Sequence, residues 1–355
     1  MKTCQARCKI AYLPSLLGLS IMTAVAGITA CSSSSGGDAE GQGGGGGVSN
    51  QGGNAGQAGS TSAAGNEGSS TPVIGAFNLE LKEAVAATNT AAQTAIQGTV
   101  NDVSSPSAVV WDVSLQDNGC QLLKKRIPFC ESCASGQVCT EDDVCSPNPT
   151  RQDVGEVSLS GLSRSDGEST VVLSNVNGSY QMAGVTLDYP PFAEGGQVTL
   201  SAEGGEVYPA FSIESSGIVP LELTSADPLP MASGDPVVIT WTPPGSSSQS
   251  RIEVDVDISH HGGQAGRIYC DVEDNGSLTI SANLVTQLMA LGYSGWPSVA
   301  VKRISRGTTE LSSGLVELNV FSQIDQPISI PNLISCAGDT DCPGDQTCQS
   351  DLKCG

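Results

Sequence analysis

The spacing of the cysteines constrains this chain more than any other feature. Cys133, Cys139 and Cys145 are each separated by five residues, and Cys342, Cys348 and Cys354 repeat that spacing near the end. Gln137 corresponds to Gln346 and Asp142 to Asp351, while Cys130 and Cys336 supply a preceding cysteine for each copy. The chain therefore carries two related four-cysteine modules, one inserted in the folded region and one at its end. Each is too short to bury a core of its own, so covalent staples must hold it. Cys120 and Cys270 bring the set to ten, and an even number in an exported chain reads as disulfides. Zinc ribbons use paired C-x2-C knuckles, and only Cys130 and Cys133 have that spacing, so neither a metal nor a cofactor is expected.

Between the modules the apolar residues follow a strand period. Short runs bounded by turn residues occur at 157–159, 170–173, 197–202, 207–213, 219–223, 267–272, 278–280, 299–304 and 315–321. Residues 108–115 place Val109, Trp111, Val113 and Leu115 on one face of a half-buried strand. Residues 79–97 suit a helix by their alanines and an extended chain by their threonines. The nearly continuous apolar run 237–241 suits a strand buried on both sides. Ile252, Val254, Val256 and Ile258 alternate with Glu253, Asp255, Asp257 and Ser259, which predicts one solvent-facing side. Ser281, followed by Leu284, Leu288 and Leu291 and stopped by Gly292, predicts the single helix. The fold class expected is mostly β: an antiparallel β-sandwich with one short helix, plus two small disulfide-stapled modules. The body, residues 72–333, is open to being one sandwich or two, with a cysteine-rich insertion at 120–145 and the second module at 334–355. Ile239-Thr240-Trp241-Thr242-Pro243 resembles a strand motif of immunoglobulin-like sandwich modules, a resemblance that implies the fold and no activity.

The start of the chain gives an address. Lys2, Arg7 and Lys9 precede an apolar run, 13–28, that ends in small residues, as in a secretory signal peptide over residues 1–30. Ile28-Thr29-Ala30-Cys31 resembles the lipobox of bacterial lipoproteins. The resemblance implies cleavage before Cys31, lipidation of Cys31 with palmitate-type acyl chains, and a protein held outside the cytoplasm. Two or more chains, at ~0.8 kcal/mol per buried methylene, hold a protein firmly without a spanning helix. Ser32 behind the cysteine implies, by the same resemblance, the outer membrane of a Gram-negative bacterium. Residues 31–71 then form the lipidated cysteine and a disordered Gly/Ser tether, which as a flexible coil spans roughly 35 Å.

Charge narrows the partners. The net charge is −22, and about −25 once the three leader cations are removed. So acidic a chain is not expected to bind nucleic acid, which needs clustered cations. It leaves the acyl chains as the membrane contact and a protein or glycan as the partner class. The second module, Cys336-Ala-Gly-Asp-Thr-Asp-Cys342-Pro-Gly-Asp-Gln-Thr-Cys348, resembles the Dickkopf-type or EB-type cysteine-rich repeats of extracellular proteins, which bind proteins or act as rigid spacers. That resemblance implies pairing of Cys130 with Cys139, Cys133 with Cys145, Cys336 with Cys348 and Cys342 with Cys354. Cys120 and Cys270 are then left for each other. The second module is expected to be dispensable to the sandwich and to carry most partner binding.

Motifs for catalysis are missing: the chain has no Gly-x-Ser-x-Gly, no His-Glu-x-x-His and no phosphate-binding Gly-x4-Gly-Lys. Its two histidines, His260 and His261, sit where a strand should turn. They suit a polar hairpin; the sharper reading is a metal or acid/base site with Asp255 or Asp257. Adjacent residues of a strand point to opposite faces, which argues against a shared metal. Asp271-Val272-Glu273-Asp274-Asn275-Gly276 resembles the start of an EF-hand loop, but Ala282 stands where the bidentate carboxylate belongs. Asn275-Gly276 reads more simply as a hairpin turn. No catalytic residue is assigned, and the reading is of a lipid-anchored binding or structural protein rather than an enzyme. An extracellular hydrolase acting through Asp/Glu residues is the alternative.

Overall fold

The computed structural model describes residues 71–85, 89–107, 109–246, 248–261 and 263–355. The leader, Cys31 and the tether up to residue 70 lie outside the described residues.

Strands β1 (Val73–Lys82) and β2 (Gln93–Val100) pair antiparallel, which resolves the ambiguous segment 79–97 as two strands and a turn. The threonines and the alternating apolar residues override the helix propensity of the alanines. Strands β3 (Val110–Asp117) and β4 (Cys120–Arg126) form a second hairpin, and β5 (Gln137–Cys139) and β6 (Cys145–Pro147) lie in the first cysteine module. A run of five strands follows: β7 (Val157–Ser160), β8 (Thr170–Val176), β9 (Ser179–Gln181), β10 (Gln197–Ala202) and β11 (Phe211–Ser216). Then come β12 (Leu229–Pro230), β13 (Val237–Thr240), β14 (Arg251–Asp257), β15 (Gly266–Glu273) and β16 (Ser277–Ile280). Helix α1 (Ala282–Ala290) precedes the long hairpin of β17 (Ser298–Leu311) and β18 (Gly314–Ser329).

One ladder runs β11-β10-β7-β8-β9-β2-β1-β18-β17-β14-β15-β4-β3, with β12 added to β18. Pairing is antiparallel except for β1 and β12, which each run parallel to β18. Two apolar cores form along this ladder. The first gathers Phe77, Leu79, Val100, Leu159, Leu200 and Ile213 with Val316, Leu318 and Val320 of β18. The second gathers Leu122, Ile239, Trp241, Val254, Ile268 and Leu284 with Val299 and Val301 of β17 and Ile328 beyond them. The body is thus two lobes on one ladder, and the β17–β18 hairpin belongs to both. The chain crosses between them repeatedly: β1–β2 in the first lobe, β3–β4 in the second, β7–β11 in the first, β12–β16 and α1 in the second.

Several local expectations are corrected. Cys120 lies in β4 of the second lobe, so the first module begins after Arg126 rather than at residue 120. Residues 219–223 form no strand, because Val219 and Pro220 give their carbonyls to Arg303, and only Leu223 bridges Trp241. Strand β13 buries Val237 and Ile239 but exposes Val238, since its two-stranded sheet with β16 has one uncovered face. Val113 is exposed because β3 is the edge strand and bulges between Val113 and Leu115. Asn275-Gly276 makes no hairpin: β15 pairs with β14 and β4, β16 with β13, so the turn is a corner between sheets. Helix α1 forms as expected, capped by the Ser281 hydroxyl, which accepts from Leu284 N, and ended at Gly292 in the left-handed region.

Candidate functional site

All ten described cysteines are paired. Cys120 bonds Cys270 directly across the β4–β15 ladder, closing a separation of 150 residues within the second core. The first module holds Cys130–Cys139 and Cys133–Cys145; the second holds Cys336–Cys348 and Cys342–Cys354. These are the pairs that the resemblance implies. Such bonds belong to an oxidising, extracytoplasmic compartment. Sulfur atoms of Cys130, Cys133 and Cys145, and of Cys336, Cys342 and Cys354, gather closely enough to suggest metal sites. Each is bonded to another sulfur, so none offers a thiolate. No helix among the described residues is long and apolar enough to cross a membrane.

The modules share a turn as well as a spacing. Thr140 N donates to Val144 O at 2.8 Å and Asp143 N to Thr140 O at 3.0 Å; Gln349 N donates to Lys353 O and Leu352 N to Gln349 O, both at 2.9 Å. Asp143 and Leu352 occupy the left-handed region at matching places. The residue before each, Asp142 or Asp351, is the sequence trace of that turn.

Their surroundings differ. The first module leaves β4 through Arg126, whose guanidinium donates to Asp143 at 3.0 and 3.2 Å and to Glu141 O at 2.7 Å. Asp143 also accepts from Phe129 N at 2.8 Å, which fixes the entry loop. On that fixed loop Phe129 is 75% exposed and Ile127 66% exposed, with Val144 at 55% beside the same aspartate. The second module is docked on the body instead. Gly295 N donates to Asp351 O at 2.9 Å, and Cys336 is buried. Its own carboxylates are spent on its backbone, Asp341 on Ala337 N and Gly338 N, Asp339 on Cys348 N.

Charged groups cross the outer face of the central strands. Glu253 of β14, expected to face solvent, is buried because Lys302 (3.3 Å) and Arg306 (2.7 Å) fold over it. Burial works against its ionisation, but those two cations outweigh it and hold the carboxyl below the ordinary range. Asp255, two residues on, moves the other way: burial raises it, Arg267 opposes, and Asp257 adds to the rise. Opposed carboxylates on one strand face are the signature that a glycosidase-type reading would want. Each is tied to a cation, however, and neither lines either of two shallow hollows at the surface. One, of about 400 Å³, is lined by Asp117, Tyr269 and Asp271, the last held by Arg251 at 2.6 Å. The other, of about 300 Å³, lies between Tyr293 and the second module.

The EF-hand-like stretch is structural. Asp274 is buried and receives Arg303 Nε at 2.6 Å, Trp241 Nε1 at 2.7 Å and Ser250 Oγ at 2.6 Å, so it cannot serve a calcium ion. His260 and His261 lie just past β14. His261 has φ 62°, and the two rings come to 3.9 Å between centroids, with Trp296 edge-on to His261 at 6.2 Å. The expectation that adjacent histidines diverge is corrected: it assumes strand geometry, and the left-handed backbone brings them together.

No family model matches the chain, and no curated protein matches it. Solved structures similar to it include the FN1-FN3 domains of chicken CNTN1, at 12% identity over 66% of this chain and 72% of that one, with a TM-score of 0.19. Another is a tetra-tandem repeat in the extending region of a large adhesion protein, at 13% identity over 74% and 76%, with a TM-score of 0.18. Superpositions of that quality carry no argument; the fold assignment rests on the strand order and the two cores.

Proposed function

We propose that this chain is an extracytoplasmic binding lipoprotein, anchored by acyl chains at Cys31 in the outer membrane of a Gram-negative bacterium, that grips a protein partner through its first cysteine module. The observation that carries the reading is Phe129, exposed together with Ile127 and Val144 on a loop stapled by two disulfides and pinned by Asp143. An aromatic group held rigidly in solvent costs little further entropy on binding and is the usual anchor of an interface. An exposed apolar ring works against solubility, and a rigid apolar patch marks an interaction site. The second module, lacking an exposed aromatic residue and docked on the body, serves better as a clamp. Glu253 and Asp255 of the outer face are committed to ion pairs, which favours recognition over hydrolysis.

The test couples two variants. Phe129→Ser and Ile127→Ser are introduced together into protein retained in outer-membrane fractions, and co-purifying chains are compared with those of the unaltered protein. A chain enriched with the parent and lost with the variant, at unchanged circular dichroism, supports the reading; equal enrichment refutes it. Cys31→Ser should release the protein from the membrane fraction. Mass spectrometry finding no lipid on the parent would remove the anchor from the proposal.

A further inference from the structure

We propose that His260, His261 and Asp257 form a site for a divalent transition cation of the zinc type. The chemistry suits such an ion: imidazole nitrogens with one carboxylate oxygen are the donors that zinc, nickel and copper prefer.

The geometry is partly assembled. Asp257 Oδ2 lies 3.4 Å from His260 Nδ1. Two ligands of a tetrahedral ion with bonds of about 2.0–2.1 Å stand roughly 3.3 Å apart, so one ion fits between these atoms with little movement. The carboxylate is aimed: its other oxygen, Oδ1, accepts from Ser259 N at 2.8 Å, which turns Oδ2 toward the imidazole. His261 supplies the third donor by rotation of an exposed ring that already touches that of His260. A non-glycine residue in the left-handed region is costly and persists only where its surroundings impose it. Here Trp296 N donates to His260 O at 3.1 Å and Ser294 N to Ile258 O at 3.0 Å, while the Trp296 ring abuts His261.

Electrostatics favours a cation. Asp255 and Asp257 share the outer face of β14, and Arg267 pairs with Asp255. Among the described residues the one ion-pair partner of Asp257 is His260, which is charged only when protonated. That carboxylate therefore has no lysine or arginine within ion-pair distance among the described residues, and it lies beside both histidines of the chain. Half-exposed His260 leaves room for the ion to enter and to keep water as its remaining ligands.

The experiment titrates the oxidised, folded chain with zinc chloride by calorimetry, and separately with copper(II) while following tryptophan fluorescence. The expected result is one ion per chain, with quenching from Trp296. His260→Gln, His261→Gln and Asp257→Asn should each weaken binding by about tenfold or more, and the double histidine variant should abolish it. The histidines sit at an exposed turn and Asp257 ends β14, and Asp257→Asn keeps the oxygen that accepts from Ser259 N, so circular dichroism should stay unchanged. Trp296→Phe should keep the calorimetric binding and lose the quenching. The proposal is overturned if the parent binds no stoichiometric zinc, if the double histidine variant binds as well as the parent, or if calcium competes on equal terms.

Discussion

Arg303 and Asp274 are the two residues on which the second lobe closes. Both are almost wholly buried, and the guanidinium also serves the carbonyls of Pro220 and Thr242. Removing one charge of such a pair leaves the other in an apolar interior, at a cost of about 3–5 kcal/mol, whereas removing both can restore most of the loss. Asp274→Asn should therefore lower the unfolding free energy by that amount, seen as a lower urea midpoint at an unchanged slope, and Asp274→Leu with Arg303→Met should recover much of it. An Asp274→Asn protein as stable as the parent would show that the pair contributes nothing. This pairing was not legible in the sequence. Asp274 looked like a loop carboxylate because an EF-hand-like spacing and a buried ion pair draw on the same residue types, and its partner lies 29 residues away. The two histidines do lie in the hairpin connection expected between β14 and β15, but the expected divergence of their rings fails, since alternation along a strand says nothing about where the backbone turns left-handed.

Among the elements, periodicity located the cores of the longer strands of the second half, left β1 and β2 open, gave no sign of β4, β5, β6, β9 or β12, and stopped short at strand ends. Strand β10 and helix α1 were readable because turn residues or a cap bound them. Strands β17 and β18 run well past the apolar stretches 299–304 and 315–321, because each supplies the other's hydrogen bonds across polar positions such as Gln323 and Asp325. Which lobe a strand joins was illegible, since pairing partners lie far apart in the chain. Close approaches were illegible too. Strand β11 lies so near β17 that a Cβ on Gly307 would stand 1.9 Å from the Glu214 carbonyl oxygen. Gly307→Ala must push two backbones apart and should cost about 1–3 kcal/mol. Hydrogen exchange would find the loss concentrated in β10 and β11, and a parent-like melting curve would refute the contact.

At the scale of the whole molecule, the second module proves attached rather than independent. A chain stopping at Ile334 gives up the Gly295–Asp351 bond together with the buried Cys336 itself. One cross-link of that kind is worth about 1 kcal/mol, so calorimetry should show a single transition lowered by ~2–4 °C. An unchanged melting temperature would restore the view that the module merely hangs from the body; loss of the transition would make it essential to folding. The shared hairpin has a consequence for biogenesis. Val316, Leu318 and Val320 complete one core and Val299, Val301 and Ile328 the other, so neither lobe can close until β17 and β18, which follow every other strand of the ladder, have appeared. Long-range pairing of this sort is slow to form. A polypeptide bound for export through a channel that passes only unfolded chains would keep that form until both of these strands are made, since they come after all the strands they lock.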